Sequence, residues 1–134
     1  MRSLPVLVAP LLLAACAGSW PAQSYVSMPA DSDAVVLAPA LSDCIAEIVP
    51  PRSAIALPAQ TQDEGAAMNA VLTDDLRRNS LTERPDGIVL TYVVAPIGRD
   101  AFIRVTASQR SCAQYFYRAS DNALHVGGPQ MVLR

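Results

Sequence analysis

The chain has 134 residues, 51% of them apolar and 16% charged. All 10 basic residues are Arg, set against 12 Asp and Glu, and no basic stripe or cluster is present that would grip nucleic acid. This length holds one small domain and a tether.

The first stretch reads as an address. Arg2 supplies the positive n-region, and residues 4–15 form an apolar run that ends in small side chains, as a secretory signal does. The run is too short to cross a bilayer as a mature helix. Leu13-Ala14-Ala15-Cys16 resembles the lipobox of bacterial lipoproteins. The resemblance implies that the Cys16 thiol is diacylated, that the Ala15–Cys16 bond is cut, and that the new amino terminus is acylated too, commonly with palmitate. Small residues let the peptidase reach the bond, and only a thiol can form the thioether. The alternative is an ordinary secreted protein with an incidental Cys, and the position directly behind the apolar run favours the lipobox. Several acyl chains hold stably where one does not, so the mature protein is expected to be membrane-tethered without spanning. By resemblance to enterobacterial sorting, Ala17 in place of Asp implies delivery to the outer membrane, on its periplasmic side. The expected organisation is a signal at 1–15, a lipidated terminus and flexible tether at 16–32, and a periplasmic domain at 33–134. Removing Arg2 leaves nine Arg against the same 12 acidic residues, about −3 on the mature side chains.

The lipobox uses one of the 3 Cys. Cys44 and Cys112 remain, in a compartment where disulfides persist. They either bridge, closing a long loop worth about 4 kcal/mol in the chain-entropy picture, or stay as two buried thiols.

Taken in order, the tether is polar and broken by Gly18, Pro21 and Pro29, with Trp20, Tyr25, Val26 and Met28 either incidental apolar residues of a linker or anchors on a partner. Asp31-Ser32-Asp33 forms an N-cap cluster. Behind it, Ala34, Leu37, Leu41, Ile45 and Ile48 fall at helical spacing. Pro39 predicts a kink or a later start, and Pro50-Pro51 a stop. Residues 53–57 alternate and predict a short strand. Thr61-Gln62-Asp63-Glu64 is a capping box opening a helix over 62–78, with Met68, Leu72 and Leu76 in one row and Asn79 closing it. After a turn region at 80–86, residues 88–95 are apolar and nearly continuous, predicting a strand covered on both faces or nearly so. Residues 101–107 and 112–118 predict two more strands, and 124–133 a last one broken by Gly127-Gly128-Pro129. The pattern predicts an α+β two-layer sandwich, two helices packed on a small, mostly antiparallel sheet of about four strands.

Chemistry is sparse. The single His, His125, stands beside a Gly-Gly turn, no G-x-S-x-G elbow occurs, and one His with two distant Cys makes no zinc set. No phosphate-cradling Gly loop is present. No catalytic residue, metal or cofactor is expected beyond the covalent lipid on Cys16, and no small-molecule substrate. Tyr115-Phe116-Tyr117 is the more informative stretch. Consecutive side chains in a strand alternate faces, so Tyr115 and Tyr117 either form a candidate partner surface or belong to a well-filled core with ordinary cross-strand pairs.

In their order and spacing these segments resemble the TrbH-type conjugal transfer lipoproteins of mating-pair-formation clusters. The segments that carry the resemblance are the lipobox, a helix running into Val49-Pro50-Pro51, Ser53-Ala54-Ile55-Ala56-Leu57, and Leu72-Thr73-Asp74-Asp75-Leu76-Arg77-Arg78. Leu90-Thr91-Tyr92-Val93-Val94, Ile103-Arg104-Val105, Ala113-Gln114-Tyr115-Phe116-Tyr117-Arg118 and Gly127-Gly128-Pro129 complete the set. The chain departs from that pattern at Asn79-Ser80, at Ala113-Gln114-Tyr115 and in its Cys44/Cys112 pair. The resemblance implies a non-enzymatic component of a conjugative type IV secretion system, lipid-anchored at the outer membrane, which scaffolds or braces the channel through other subunits. Small lipoproteins of this element order also resemble periplasmic regulators of cell-wall synthases and the amino-terminal domain of Tol-type proteins, which implies a binding module that regulates or scaffolds an envelope enzyme.

Overall fold

The computed structural model describes residues 24–27, 31–57 and 63–134. The lipobox, most of the expected tether, and Thr61 and Gln62 of the capping box lie outside the described residues.

A 3-10 turn, Asp31–Asp33, leads into helix α1, Ala34–Ile48. Its apolar stripe is buried as its spacing predicts: Leu37, Ala38, Leu41, Cys44, Ile45 and Ile48 are all 3% exposed or less. The helix runs through Pro39. Proline cannot serve the carbonyl four residues back, but that residue, Val35, is on the solvent side and 73% exposed, where water can take the bond. Asp33 stands at the N-cap position without capping, since its side chain makes no cap hydrogen bond and is engaged elsewhere.

Helix α2, Asp63–Arg78, buries Met68, Leu72 and Leu76 completely. It closes one residue later than expected. Ser80, not Asn79, takes the left-handed conformation (φ 60°). The Leu81 N–H reaches the Leu76 carbonyl at 2.9 Å and the Ser80 N–H the Arg77 carbonyl at 3.1 Å, the Schellman pairing. Asn79 instead donates its side-chain amide to Ser42 Oγ at 2.6 Å and Asp43 at 3.1 Å, tying the end of α2 to the middle of α1.

The sheet corrects the expectation. It is a mixed sheet with eight strands among the described residues, not a mostly antiparallel one of about four. Its centre is the expected meander: β4, Ile88–Ile97; β5, Asp100–Ala107; and β6, Arg110–Arg118, paired antiparallel in sequence. The additional strands are short. β1, Tyr25–Val26, and β2, Ala54–Ala56, both lie parallel along the free edge of β4, at Val93-Val94 and Ile88-Val89 respectively. β3, Thr82–Glu83, pairs parallel with β2, so the stretch expected as turn region also contributes a strand. The far edge of β6 is shared by β7, Leu124–Val126, and β8, Met131–Leu133. β2 falls on the alternation expected at 53–57, and β7 and β8 fall within the stretch expected at 124–133, whereas the two-residue strands β1 and β3 carry no periodicity to read. They form because an edge strand presents unpaired N–H and C=O groups that any passing backbone can satisfy.

β1 falls within the stretch expected as tether. Val26 is 2% exposed, the Ser27 N–H donates to the Val94 carbonyl at 2.8 Å, and the Tyr92 N–H donates to Ser24 Oγ at 3.1 Å. Gly87 is what lets β2 in at the start of β4, because a Cβ there would stand 2.6 Å from the Ala54 backbone.

Both helices cover one face. That face of the sheet supplies Leu90, Tyr92, Val94, Ile103, Val105, Cys112 and Phe116 to a single core. Tyr92 donates its hydroxyl to Asn69 of α2. Cys44 of α1 and Cys112 of β6 are joined as a disulfide with Cα atoms 5.4 Å apart, which fastens helix layer to sheet.

Candidate interaction face

β4 was expected to be covered on both faces or nearly so, and its outward side is more open than that. Its burial alternates: Leu90, Tyr92 and Val94 are buried, while Val89 is 58% and Ile97 51% exposed. Its run is continuously apolar although only one side meets the helices. The outward positions of the neighbouring strands continue the surface. Tyr25 of β1 stands beside Val93, Arg104 of β5 on the other side of Val93, then Ala113 of β6 and Met131 of β8. The next row is Ala95, Phe102 and Tyr115. Of the nine large apolar side chains that are exposed among the described residues, six point out from this face: Tyr25, Val89, Ile97, Tyr117, Met131 and Leu133. Concentration on one face, rather than scatter, makes this the candidate interaction surface.

The two tyrosines read from the sequence share this face but not one environment. Tyr117 is 44% exposed. Its ring stacks on His125 with centroids 5.5 Å apart, and His125 Nε2 lies 3.1 Å from Asp121. Tyr115 is half-buried beneath the β7–β8 connection. A Cβ on Gly127 would stand 2.5 Å from its ring, so only glycine permits the chain to cross there. Four residues, 127–130, face the Gln114-Tyr115 pair on β6, a wide bulge held by the Gly127 N–H to the Tyr115 carbonyl at 2.8 Å. The side chain of Gln114 donates to the Gly128 carbonyl at 3.3 Å.

The Tyr115 hydroxyl donates to Asp100. The other oxygen of Asp100 accepts the Arg118 N–H at 2.9 Å. The Tyr115 hydroxyl first, then this N–H, hold the Asp100 carboxyl below the ordinary aspartate range. In return, Asp100 raises the Tyr115 phenol. A backbone N–H from Ala123, then His125, lowers Asp121 in the same way.

Arg104 is the opposite case. It is exposed, it stands in the middle strand, and its side chain has no hydrogen bond or ion pair. Among the described residues it is also the only arginine at an outward strand position of this face, since Arg118 points to the helix side. Nothing in the sequence singled it out. The available signal was the alternation of β5, where Ile103 and Val105 face one way and Arg104 the other, once the neighbours were known to leave that side uncovered.

Among the described residues no group of three His, Cys, Asp or Glu is placed to hold a metal ion. A cleft of about 340 Å3 between the end of α1 and the β5–β6 turn is lined by Ile48, Val49, Pro50, Ile88 and Ala107, with Arg110 as its one charge. No described helix is long and apolar enough to cross a membrane. Cys16 and the rest of the lipobox lie outside the described residues. In comparisons with known proteins, no family model matches the chain, and neither a curated protein nor a solved structure does.

Proposed function

We propose that this protein is a non-enzymatic binding module, lipid-anchored through Cys16 on the periplasmic side of the outer membrane. We further propose that it serves as a scaffold component of a conjugative type IV secretion system. The observation that carries the binding role is the open sheet face, where Val89, Ile97, Tyr117, Met131 and Leu133 stay exposed while the opposite face is filled. A fold that leaves apolar side chains on one layer is built to have that layer covered. The Leu13-Ala14-Ala15-Cys16 box supports the anchor, and the Cys44–Cys112 bridge is in keeping with an oxidising compartment. The assignment to conjugation rests on the resemblance of the ordered segments to TrbH-type lipoproteins.

The test is transfer frequency of the element from a deletion strain, complemented with wild type or with Cys16→Ser. A large drop that only the lipidated form restores is expected. Unchanged transfer in the deletion strain would remove the conjugation role and favour the envelope-enzyme regulator. A Cys16→Ser protein that stays in the membrane fraction would remove the anchor.

A further inference from the structure

We infer that the outer sheet face is the seat of an amphipathic helix from a partner protein, with the helix's apolar ridge across β4–β6 and one of its carboxylates on Arg104. This rests on the binding-module reading and names the partner's chemistry. Charge complementarity decides the occupant. Arg104 rises between Val93 and Ala113, with the Ala95-Phe102-Tyr115 row on one flank and the Thr91-Thr106-Ser111 row on the other, and has no ion-pair partner among the described residues. The acids nearby are already engaged: Asp100 accepts from Tyr115 and Arg118, and Asp121 from Ala123 and His125. A partner that buries this face must bring its own carboxylate, because an arginine desolvated without one is heavily penalised.

A second copy of the chain does not meet that need. Face-to-face pairing would bring one apolar surface with a bare arginine against another, with no carboxylate left to give. Nor does a partner lying across this face enter as an added strand, since β5 is paired on both edges and the outer edges of β4 and β6 are shared by β1 and β2 and by β7 and β8. Recognition must come from side chains. A helix with apolar residues at i, i+3/i+4 and i+7 lays such a ridge over a pleated surface, as α1 and α2 do on the other side.

The experiment places a photoreactive phenylalanine analogue at Thr106, beside Arg104 on the outward side of β5, in the full-length protein in cells. Val35, exposed on α1, is the control position. The expected result is a protein adduct from position 106 that maps to a helical segment bearing Asp or Glu. Arg104→Glu should cut the adduct yield about tenfold or more, and an Asp/Glu→Arg change in the captured segment should restore it. Because the Arg104 side chain has no partner within the fold, the variant should unfold at the wild-type urea midpoint, which separates lost binding from lost structure. An adduct to a second copy, to lipid alone or to a segment without carboxylates overturns the inference, as does a yield indifferent to Arg104→Glu. Adducts from position 35 alone would leave the binding-module reading standing and refute this face. No protein adduct from either position would count against both.

Discussion

Arg118 and Asp33 meet across 85 residues of sequence as a bidentate pair, Nη1–Oδ1 3.1 Å and Nη2–Oδ2 2.8 Å, with side chains only 8% and 4% exposed. The same guanidinium donates to the Arg99 carbonyl at 3.0 Å and the Asn122 carbonyl at 2.9 Å. One side chain thus joins the entrance of α1, the β4–β5 turn and the β6–β7 turn. The residue that reads as an N-cap is used instead to dock the helix on the sheet. Removing one partner of a buried pair leaves the other uncompensated, so Arg118→Ala should cost about 3 kcal/mol in urea unfolding. The double change Asp33→Leu with Arg118→Met should recover most of that loss. A single variant as stable as wild type would show the pair to be solvated and incidental.

Asp100 links stability to pH. Its folded carboxyl titrates below the ordinary range, chiefly through the Tyr115 hydroxyl, while the unfolded residue titrates near about 3.9. On acidification the unfolded chain takes up this proton first. The contribution is therefore whole above the unfolded value and is lost as pH falls through the lower folded one. Tyr115→Phe removes the larger donor and brings the folded value back up, so acid unfolding followed by circular dichroism should begin at higher pH. An unmoved acid midpoint would mean that Asp100 makes no such contribution.

The Cys44–Cys112 bridge spans 68 residues of sequence, and closing a loop of that length is worth about 4 kcal/mol in the chain-entropy model. Reduction, or a Cys44→Ala/Cys112→Ala protein, should lower the urea midpoint accordingly, as measured on matched oxidised and reduced samples. Free-thiol reagents should label neither Cys44 nor Cys112 in the native protein. Prompt labelling would refute the bridge.

Val26 is the apolar peg that holds β1 on the sheet. Val26→Asp would bury an unpaired carboxylate and should release residues 24–27 while the meander stays folded. Amide exchange read by NMR should then show lost protection at Ser27 and Tyr92 and unchanged protection in β5. Loss of protection throughout would make β1 part of the cooperative unit rather than a docked strap.

Much of this architecture was legible before any coordinates. The i, i+3, i+4 rows of α1 and α2 are local, and period alone specifies which side of each helix is apolar. The three long strands of the meander announce themselves by β-branched composition and by turns that leave one plausible pairing. What failed was everything that depends on neighbours. The Ile88–Ile97 strand is apolar at every position from Ile88 to Leu90 and from Tyr92 to Ile97, which reads as burial on both sides, yet only the side over the helices is filled. Composition records that a face is apolar; only the packing of other elements decides whether this protein or a partner covers it. The short strands β1 and β3 are invisible for a related reason, since two residues have no period and are strands only because an edge of the sheet lies beside them. Asp33, Arg104 and Arg118 look alike in the sequence as polar residues at element ends or alternating positions. Tertiary structure separates them, burying two as a pair and leaving Arg104 on an apolar face without a counter-charge, because electrostatic partnership is a property of distance in space rather than of distance along the chain.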